Sequence, residues 1–259
     1  MDQNELKKVL SSLPLGDIRY FDSIGSTNSE ALAWATSGAH DLSLVIADEQ
    51  TAGRGRLDRK WFTPKGTAIA VSLIMRPTPA ERSHLTRIVG LAALAITDSL
   101  RTRGLVSQIK WPNDVLLNGR KVAGVLVESV WSGEEVDSLV IGIGINVLQG
   151  AVPAAELLLF PATSLEESLG PAVGRERILR DILAGIIALR PHIGSDSFIS
   201  SWEKSLAFRG EPVQVEQGDG SVLTGKLLGL ESDGSLRLSN DESSSITVRF
   251  GDVRLRPWA

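Results

Sequence analysis

The stretch LSLVIADEQTAGRGRLDRKWFTPKGTAIAVSLIM (residues 42–75) sets a cationic loop between two apolar runs. Leu42–Ala47 and Thr67–Met75 are aliphatic and rich in β-formers, which predicts a strand on each side of the loop. Between them lies Asp48–Trp61, called the Arg–Gly loop, with three arginines and two glycines. Glycine lets the backbone come close to a ligand, and guanidinium groups bind anions through bidentate hydrogen bonds. The pattern predicts an anion-binding loop carried by a sheet; a solvated basic loop is the alternative.

Composition narrows the class of protein. The chain has 259 residues, 42% of them hydrophobic, and a net charge of −4. This length predicts one large domain and one small domain, and the acidic balance argues against a nucleic-acid partner. There is no cysteine, which excludes disulfides, thiolate metal sites and a cysteine nucleophile. No apolar run is long enough to span a bilayer, so we expect a cytoplasmic protein with no membrane partner.

The type of predicted element changes near residue 209. Upstream, strand patterns alternate with helix patterns, and the helices are predicted after GSTN and at Glu5–Leu13, Pro79–Arg103, Thr163–Leu169 and Arg175–Ile193. Downstream of Gly210 there are only short β-like pieces separated by GDG, SDG and DESSS, as in small barrels and sandwiches. The sequence therefore predicts an α+β domain over residues 1–208 and a small β domain over residues 209–259.

Three further motifs end on, or lie between, predicted strands of the first domain. KWPND (residues 110–114) presents a cation, an amide and an acid together, a set that suits phosphate and a hydrated Mg²⁺. KVAGVLVE (residues 121–128) starts with a lysine, which can stabilise charge on a reacting phosphate or carboxylate. GIGIN (residues 142–146) has glycines inside a strand, which indicates close backbone approach, and ends on Asn146. Each motif also has a purely structural alternative. KWPND could be a turn with a surface lysine, the lysine of KVAGVLVE could cap its strand and extend to water, and the glycines of GIGIN could allow tight packing against a helix. Together the motifs favour a site for an anionic nucleotide and a small partner molecule.

The order of these motifs resembles that in bacterial biotin–protein ligases. GSTN (residues 25–28), ADEQTAGRGR followed by KW, KWPND, KVAGVLVE, GIGIN and ATSL (residues 162–165) occur in that order, and the resemblance runs from about Ile18 to the C-terminus. It implies a mixed sheet with helices, related to class II aminoacyl-tRNA synthetase catalytic domains, followed by an SH3-like barrel. It also implies formation of biotinyl-5′-AMP from biotin and ATP with Mg²⁺, and transfer of biotin to a lysine of a biotin carboxyl carrier protein.

Residue roles follow from the same resemblance. Lys121 and Arg56 are the catalytic residues that it implies, and Asp114 is the metal ligand. Biotin contacts are expected at Ser26, Thr27, Asn28, Gln50, Gly53, Arg54, Gly55, Arg56, Lys121 and Gly124. Nucleotide contacts are expected at Arg54, Arg56, Lys110, Asn113, Lys121 and Asn146. The Arg–Gly loop would close over both ligands and exclude water from the reactive anhydride.

Two features of the chain depart from the pattern of the family. About 17 residues precede the first predicted strand, too few for the N-terminal winged helix-turn-helix of repressor-type members, so we expect a short-form ligase. Some members stack adenine on an aromatic side chain after the GIGIN strand, and Phe160 is the nearest candidate. The same motifs also fit two alternative functions, a lipoate–protein ligase of the same fold and a non-catalytic biotin-binding regulatory module. A homodimer formed through sheets laid side by side is a further expectation that the resemblance allows.

Overall fold

The computed structural model describes residues 1–218, 220–239 and 244–249, and the backbone of residues 254–257. The strands of the larger sheet are β1 (Ile18–Phe21), β2 (Leu44–Ala47), β3 (Ala68–Met75), β4 (Ser107–Lys110), β5 (Asp114–Leu117), β6 (Arg120–Ser132) and β7 (Glu135–Asn146). Their order across the sheet is β1-β2-β3-β7-β6-β5-β4. β1 and β2 run parallel, and the other neighbouring pairs are antiparallel. The sheet is therefore mixed, as expected, and both strands predicted around the Arg–Gly loop are confirmed.

The α-helices of the described residues are α1 (Gln3–Leu10), α2 (Thr27–Thr36), α3 (Ile88–Arg101), α4 (Glu166–Leu169), α5 (Arg175–Leu189) and α6 (Asp196–Lys204). The single helix predicted over Pro79–Arg103 is wrong in its first part. There, Arg82–Arg87 forms a 3-10 helix that His84 interrupts with a φ of −125°, and the α-helix begins only after it. None of these helices is long and apolar enough to cross a membrane.

Three other predicted helices differ from the structure in their bounds, and one helix was not predicted. The helix predicted over Glu5–Leu13 lies at Gln3–Leu10, and the one predicted over Thr163–Leu169 begins only at Glu166. The predicted helix over Arg175–Ile193 ends its α-helical part earlier, because Pro191 lies in a 3-10 turn, Arg190–His192, that follows α5. The helix α6 was not predicted. Its sequence is mostly polar and only Phe198 and Trp202 are buried, so the apolar periodicity covers a single helical turn and is a weak signal.

Strand alternation gives the larger sheet two different faces. On β7, Ile141, Ile143 and Ile145 join the main core, which α1, α3 and α5 cover. The opposite face packs against α2 through a smaller apolar cluster made of Ala31, Ala35, Ala39, Val45, Ile74 and Val140. Further along that face, β7 carries Gly142 and Gly144, and a cavity lies over them. The sheet therefore has one face for the core and one face for a ligand.

The second sheet is antiparallel. Its strands are β8 (Pro212–Glu216), β9 (Val222–Leu230), β10 (Leu236–Ser239), β11 (Ser245–Val248) and β12 (Arg254–Pro257), in the order β11-β10-β9-β8-β12. This confirms the predicted small β module; parts of the predicted pieces SITVRF and DVRLRP lie outside the described residues. The core of this sheet, including Val213 and Leu236, is continuous with the main core. The division between residues 208 and 209 stays a prediction.

Candidate active site

A polar network surrounds the N-terminus of α2. The backbone N–H and the hydroxyl of Thr27 both donate to Gln50 Oε1, at 2.8 and 3.1 Å. The amide nitrogen of Asn28 donates to Glu128 Oε2 at 2.8 Å, and the Ser72 hydroxyl donates to Asn28 Oδ1 at 2.5 Å. These groups are buried or half-buried, so their hydrogen bonds fix the orientation of each amide. Ser26, the N-cap residue of α2, completes the cluster of predicted biotin contacts here.

Glycines form the surface under this network. Gly124 on β6 lies opposite Gly144 on β7, and Gly142 is two residues before Gly144 on the same face; we call these three residues the glycine floor. A Cβ atom on Gly142 would come within 2.8 Å of Asn28 Cγ, and one on Gly144 within 2.7 Å of Trp61 Cζ2. The prediction of close approach at GIGIN is therefore confirmed. At Gly142 the approach is made by Asn28 of α2, so the alternative of packing against a helix also holds there, and at Gly144 it is made by Trp61 of the Arg–Gly loop.

Trp61 covers the glycine floor from above. Its indole lies over Gly124 and Gly144, and Lys121 Nζ is 5.2 Å from the ring centroid. The indole N–H is buried and has no hydrogen-bond partner among the described residues. A buried donor of this kind is costly unless a ligand or water satisfies it.

A buried charge cluster lies at the end of the floor. Asp114 lies between Lys121 Nζ, 2.6 Å from Oδ1, and Lys110 Nζ, 3.5 Å from Oδ2. Burial alone would raise the pKa of Asp114, but the two lysines outweigh it and hold the pKa below its ordinary value. The carboxylate is thus ionised at neutral pH, and the strand register explains the cluster, because Lys110 pairs with Asp114 and Asp114 with Gly124.

The Arg–Gly loop folds over the cavity from the other side. Arg54 Nη2 contacts Glu128 Oε2 at 2.7 Å, and Arg56 Nη1 donates to Asn113 Oδ1 at 3.2 Å. Within the loop, the Gly55 N–H donates to the Arg59 carbonyl at 2.7 Å and the Trp61 N–H to the Gly53 carbonyl at 2.8 Å. Two predicted functional arginines are therefore held to β6 and to the KWPND turn in this structure.

Two cavities meet at the charge cluster. The first lies over the glycine floor and is lined by every predicted site residue except Gly53 and Asn146. The second is lined by Asn146 and Phe160, and Lys110 Nζ is 4.8 Å from the Phe160 ring centroid. Both cavities share the lining residues Arg59, Lys60, Trp61, Lys110, Asp114 and Lys121. Gly53 is buried inside the loop.

Several residues of this site were not predicted. Ser72 is a lone hydroxyl in the aliphatic run of β3, and Glu128 interrupts the apolar run that follows Lys121 in β6. Both irregularities were available signals. Trp61 is the last residue of the Arg–Gly loop. The sequence predicts no role for it, because an aromatic residue after a basic loop does not by itself indicate a ligand. Asn146 is buried and donates to the Thr163 carbonyl at 3.1 Å, so its side chain also has a structural partner.

Comparison with known proteins defines the class. Residues 20–146 match the biotin/lipoate A/B protein ligase family, and residues 208–256 match the biotin protein ligase C-terminal domain. The chain is 38% identical over 225 residues to the biotin–[acetyl-CoA-carboxylase] ligase of Paracoccus denitrificans, covering 82% of this chain and 90% of that one. The protein therefore belongs to the biotin/lipoate A/B protein ligase family.

Further matches specify the branch within the family. The chain is 33% identical to the bifunctional ligase/repressor BirA of Bacillus spizizenii, covering 93% of this chain and 75% of that one. The structure of the biotin protein ligase from Aquifex aeolicus in complex with biotin and ATP superposes with a TM-score of 0.80 at 29% identity, covering 93% of this chain and 99% of that one. The chain is accordingly a biotin ligase enzyme, with the mixed-sheet fold and C-terminal β domain of that branch.

Proposed function

We propose that this ligase activates the carboxylate of biotin with ATP in the two connected cavities and then passes the biotinyl group to a biotin carboxyl carrier protein. The observation that carries the proposal is the junction of the cavities at Lys110, Asp114 and Lys121. One cavity ends and the other begins at two ammonium groups, where a carboxylate and a phosphate would have to meet. The complex of the Aquifex aeolicus protein with biotin and ATP supports these two ligands.

The polar network supports a ureido head group in the first cavity. A ureido ring has two N–H donors and one carbonyl acceptor. Asn28 uses its amide nitrogen on Glu128 and on the Leu126 carbonyl, so it offers Oδ1 as an acceptor to a ureido N–H. Gln50 uses Oε1 on Thr27 and so offers an amide N–H to the ureido carbonyl. Lipoate has no such group, and this favours biotin over lipoate.

The proposed first step is a displacement at phosphorus. A carboxylate oxygen of biotin forms a bond to the α-phosphorus of ATP, and the bond from that phosphorus to the bridging oxygen breaks, so pyrophosphate leaves with the electron pair. The Lys121 ammonium would stabilise the negative charge on the reacting carboxylate and phosphate. Arg56 would contact the same phosphate from the Arg–Gly loop. Asn146, in the second cavity, would contact the nucleotide, and Phe160 beside it would stack on the adenine.

The Asp114 carboxylate would hold a Mg²⁺ ion that accompanies the nucleotide. It is buried, ionised and next to the proposed phosphate position. Among the described residues, no group of three or more acidic or histidine side chains is placed so that it could hold a metal ion. The ion would therefore take its other ligands from phosphate and water, as Mg²⁺ commonly does. When bound, the ion would supply positive charge to the phosphates.

The proposed second step is aminolysis of biotinyl-5′-AMP. The neutral amine of a carrier lysine forms a bond to the acyl carbon, AMP leaves with the oxygen, and the amine loses a proton. The Arg–Gly loop must hold the intermediate until the carrier arrives, because water would hydrolyse it. Arg56→Gly should therefore release biotinyl-5′-AMP, which would label bystander lysines. If this variant labels only the carrier, the proposed retention by Arg56 is wrong.

The direct test is transfer of radiolabelled biotin to a carrier domain with MgATP. A matched assay is ATP–pyrophosphate exchange with biotin or with lipoate. Exchange with biotin alone and label on one carrier lysine would support the proposal. Exchange with lipoate and none with biotin would assign the chain to lipoate ligation, and tight biotin binding with no exchange for either acid would indicate a regulatory binding module.

A further inference from the structure

The turn between β9 and β10 sits against the larger sheet. It is closed by hydrogen bonds from the Glu231 N–H to the Ser235 carbonyl at 2.8 Å and from the Gly234 N–H to the Glu231 carbonyl at 2.9 Å. The Asp233 side chain accepts from the Ser235 N–H at 2.9 Å, and Gly234 has a φ of +86°, a conformation that favours glycine. The direction of its carbonyl groups is therefore fixed.

Two of these carbonyls accept hydrogen bonds from side chains of the larger-sheet part of the chain. The Thr86 hydroxyl donates to the Asp233 carbonyl at 2.8 Å, and the indole N–H of Trp111 donates to the Gly234 carbonyl at 3.0 Å. The Thr86 bond is exposed, whereas the Trp111 bond is buried and the Trp111 side chain is fully inaccessible to solvent. A buried hydrogen bond with one partner removed leaves the other partner unsatisfied, which costs more than loss of an exposed bond.

Trp111 is part of the turn that carries the charge cluster. It follows Lys110, the last residue of β4, and Asp114 is the first residue of β5. The turn between these strands holds Trp111, Pro112 and Asn113, and Asn113 accepts from Arg56. A displacement of the Trp111 backbone would therefore be passed to the Lys110 and Asp114 ends of the paired strands, and the hydrogen bond of its indole resists such a displacement.

We infer that Trp111 is a positioning residue through which the β9–β10 turn of the second sheet sets the phosphate end of the active site. It borders the first cavity, but no part of it is accessible to solvent, so we assign it no substrate contact. It acts by fixing Lys110, Asn113 and Asp114 relative to the glycine floor. The inference rests on the proposed function for its choice of readout. A change at Trp111 should weaken nucleotide binding in the second cavity and should leave biotin binding by the network at Asn28 and Gln50 unchanged.

The test compares three variants of the full chain. Trp111→Phe removes the N–H donor, and replacement of Trp111 by 3-benzothienylalanine exchanges the N–H for sulfur in a ring of nearly the same shape. Thr86→Val is the matched control, because it removes the other hydrogen bond to the same turn without touching KWPND. Both Trp111 variants should raise the KM for ATP about fivefold to tenfold in the exchange assay. Biotin affinity without ATP should stay within about twofold, and Thr86→Val should leave both values unchanged.

Each other outcome counts against the inference. A folded benzothienylalanine protein with the wild-type KM for ATP would overturn it, even if Trp111→Phe fails to fold. An equal rise in the KM for ATP in Thr86→Val and in the Trp111 variants would show that the contact of the second sheet with the rest of the chain affects ATP binding. Trp111 would then not be the residue through which the turn acts. Equal loss of biotin and ATP binding would indicate general destabilisation. A wild-type chain that is inactive in the exchange assay would refute the proposed function instead. That failure can be told apart from a failure of the inference, because it is seen without any substitution at Trp111.

Discussion

Substitution of Gly142 by alanine tests the glycine floor most directly. The new methyl carbon would be 2.8 Å from Asn28 Cγ, whereas ordinary contact begins near 3.4 Å. Asn28 must therefore move by more than about 0.6 Å, the difference between those two distances, because its Oδ1 would lie even closer to the new carbon than Cγ. Its amide is held by Ser72, Glu128 and the Leu126 carbonyl, so a shift of this size weakens several bonds together. Overpacking of this kind costs about 1–3 kcal/mol, and each weakened hydrogen bond adds about 0.5–1.5 kcal/mol.

The expected result is a fall in biotin affinity of about tenfold to a hundredfold, since roughly 1.4 kcal/mol corresponds to a factor of ten. Titration calorimetry with biotin alone measures it, and thermal unfolding shows whether the variant is folded. Gly25→Ala is the control, because an added Cβ there has no heavy atom within 4 Å and its backbone does not require glycine. A folded Gly142→Ala protein that binds biotin as tightly as Gly25→Ala would show that the contact between Asn28 and the floor does not determine affinity.

Three other expectations follow from the contacts of single side chains. Lys121→Ala should slow single-turnover adenylate formation by about 10²–10³-fold; a rate within about twofold of wild type would reject its catalytic role. Glu128→Gln removes the ion pair to Arg54, which is partly exposed, so trypsin should cut the ligand-free Arg–Gly loop about twofold to fivefold faster; an unchanged rate would show that the pair does not hold the loop. Burial would raise the pKa of Glu81, but hydrogen bonds from Arg190 and Thr78 outweigh it and lower the pKa. The ionised Glu81 therefore stabilises the folded protein at a pH above the ordinary pKa of a glutamate, and this contribution is lost as the pH falls through the lowered value. Urea unfolding of wild type and Glu81→Gln from about pH 7 to about pH 3 should therefore converge at the acid end; a constant difference would contradict the assignment.

The strand pattern was the most predictable part of the fold. The run Thr67–Met75 and the strand that contains GIGIN (residues 142–146) are almost wholly buried and continuously apolar, so the strands β3 and β7 could be predicted there. The helix α6 was missed because its stability comes from two large side chains packed in a distant core, which is a tertiary effect. The break before α3 was missed for the same reason, since the buried Arg87 donates to the Ile193 carbonyl, a contact far away in sequence.

The candidate site divides in a similar way. Charged and glycine-rich motifs carry their chemistry in the local sequence, so Lys121, Asp114 and the arginines could be predicted. Glu128 and Ser72 act only because the sheet register brings them beside Asn28, and register is not readable from one strand at a time. Trp111 shows the same limit, because its partner is a backbone carbonyl more than a hundred residues away, and a carbonyl has no sequence signature.

The glycine floor also limits how this binding pocket can be redesigned. Glycine has the smallest side chain, so every substitution at Gly124, Gly142 or Gly144 makes the pocket shallower and none makes it deeper. Changes on this side can exclude analogues but cannot admit larger ones. Enlargement for a bulkier acid has to come from the opposite wall, where Trp61 could be truncated. That wall belongs to the loop that must close over the nucleotide, so a variant with broader acid tolerance is expected to retain its reactive intermediate less well.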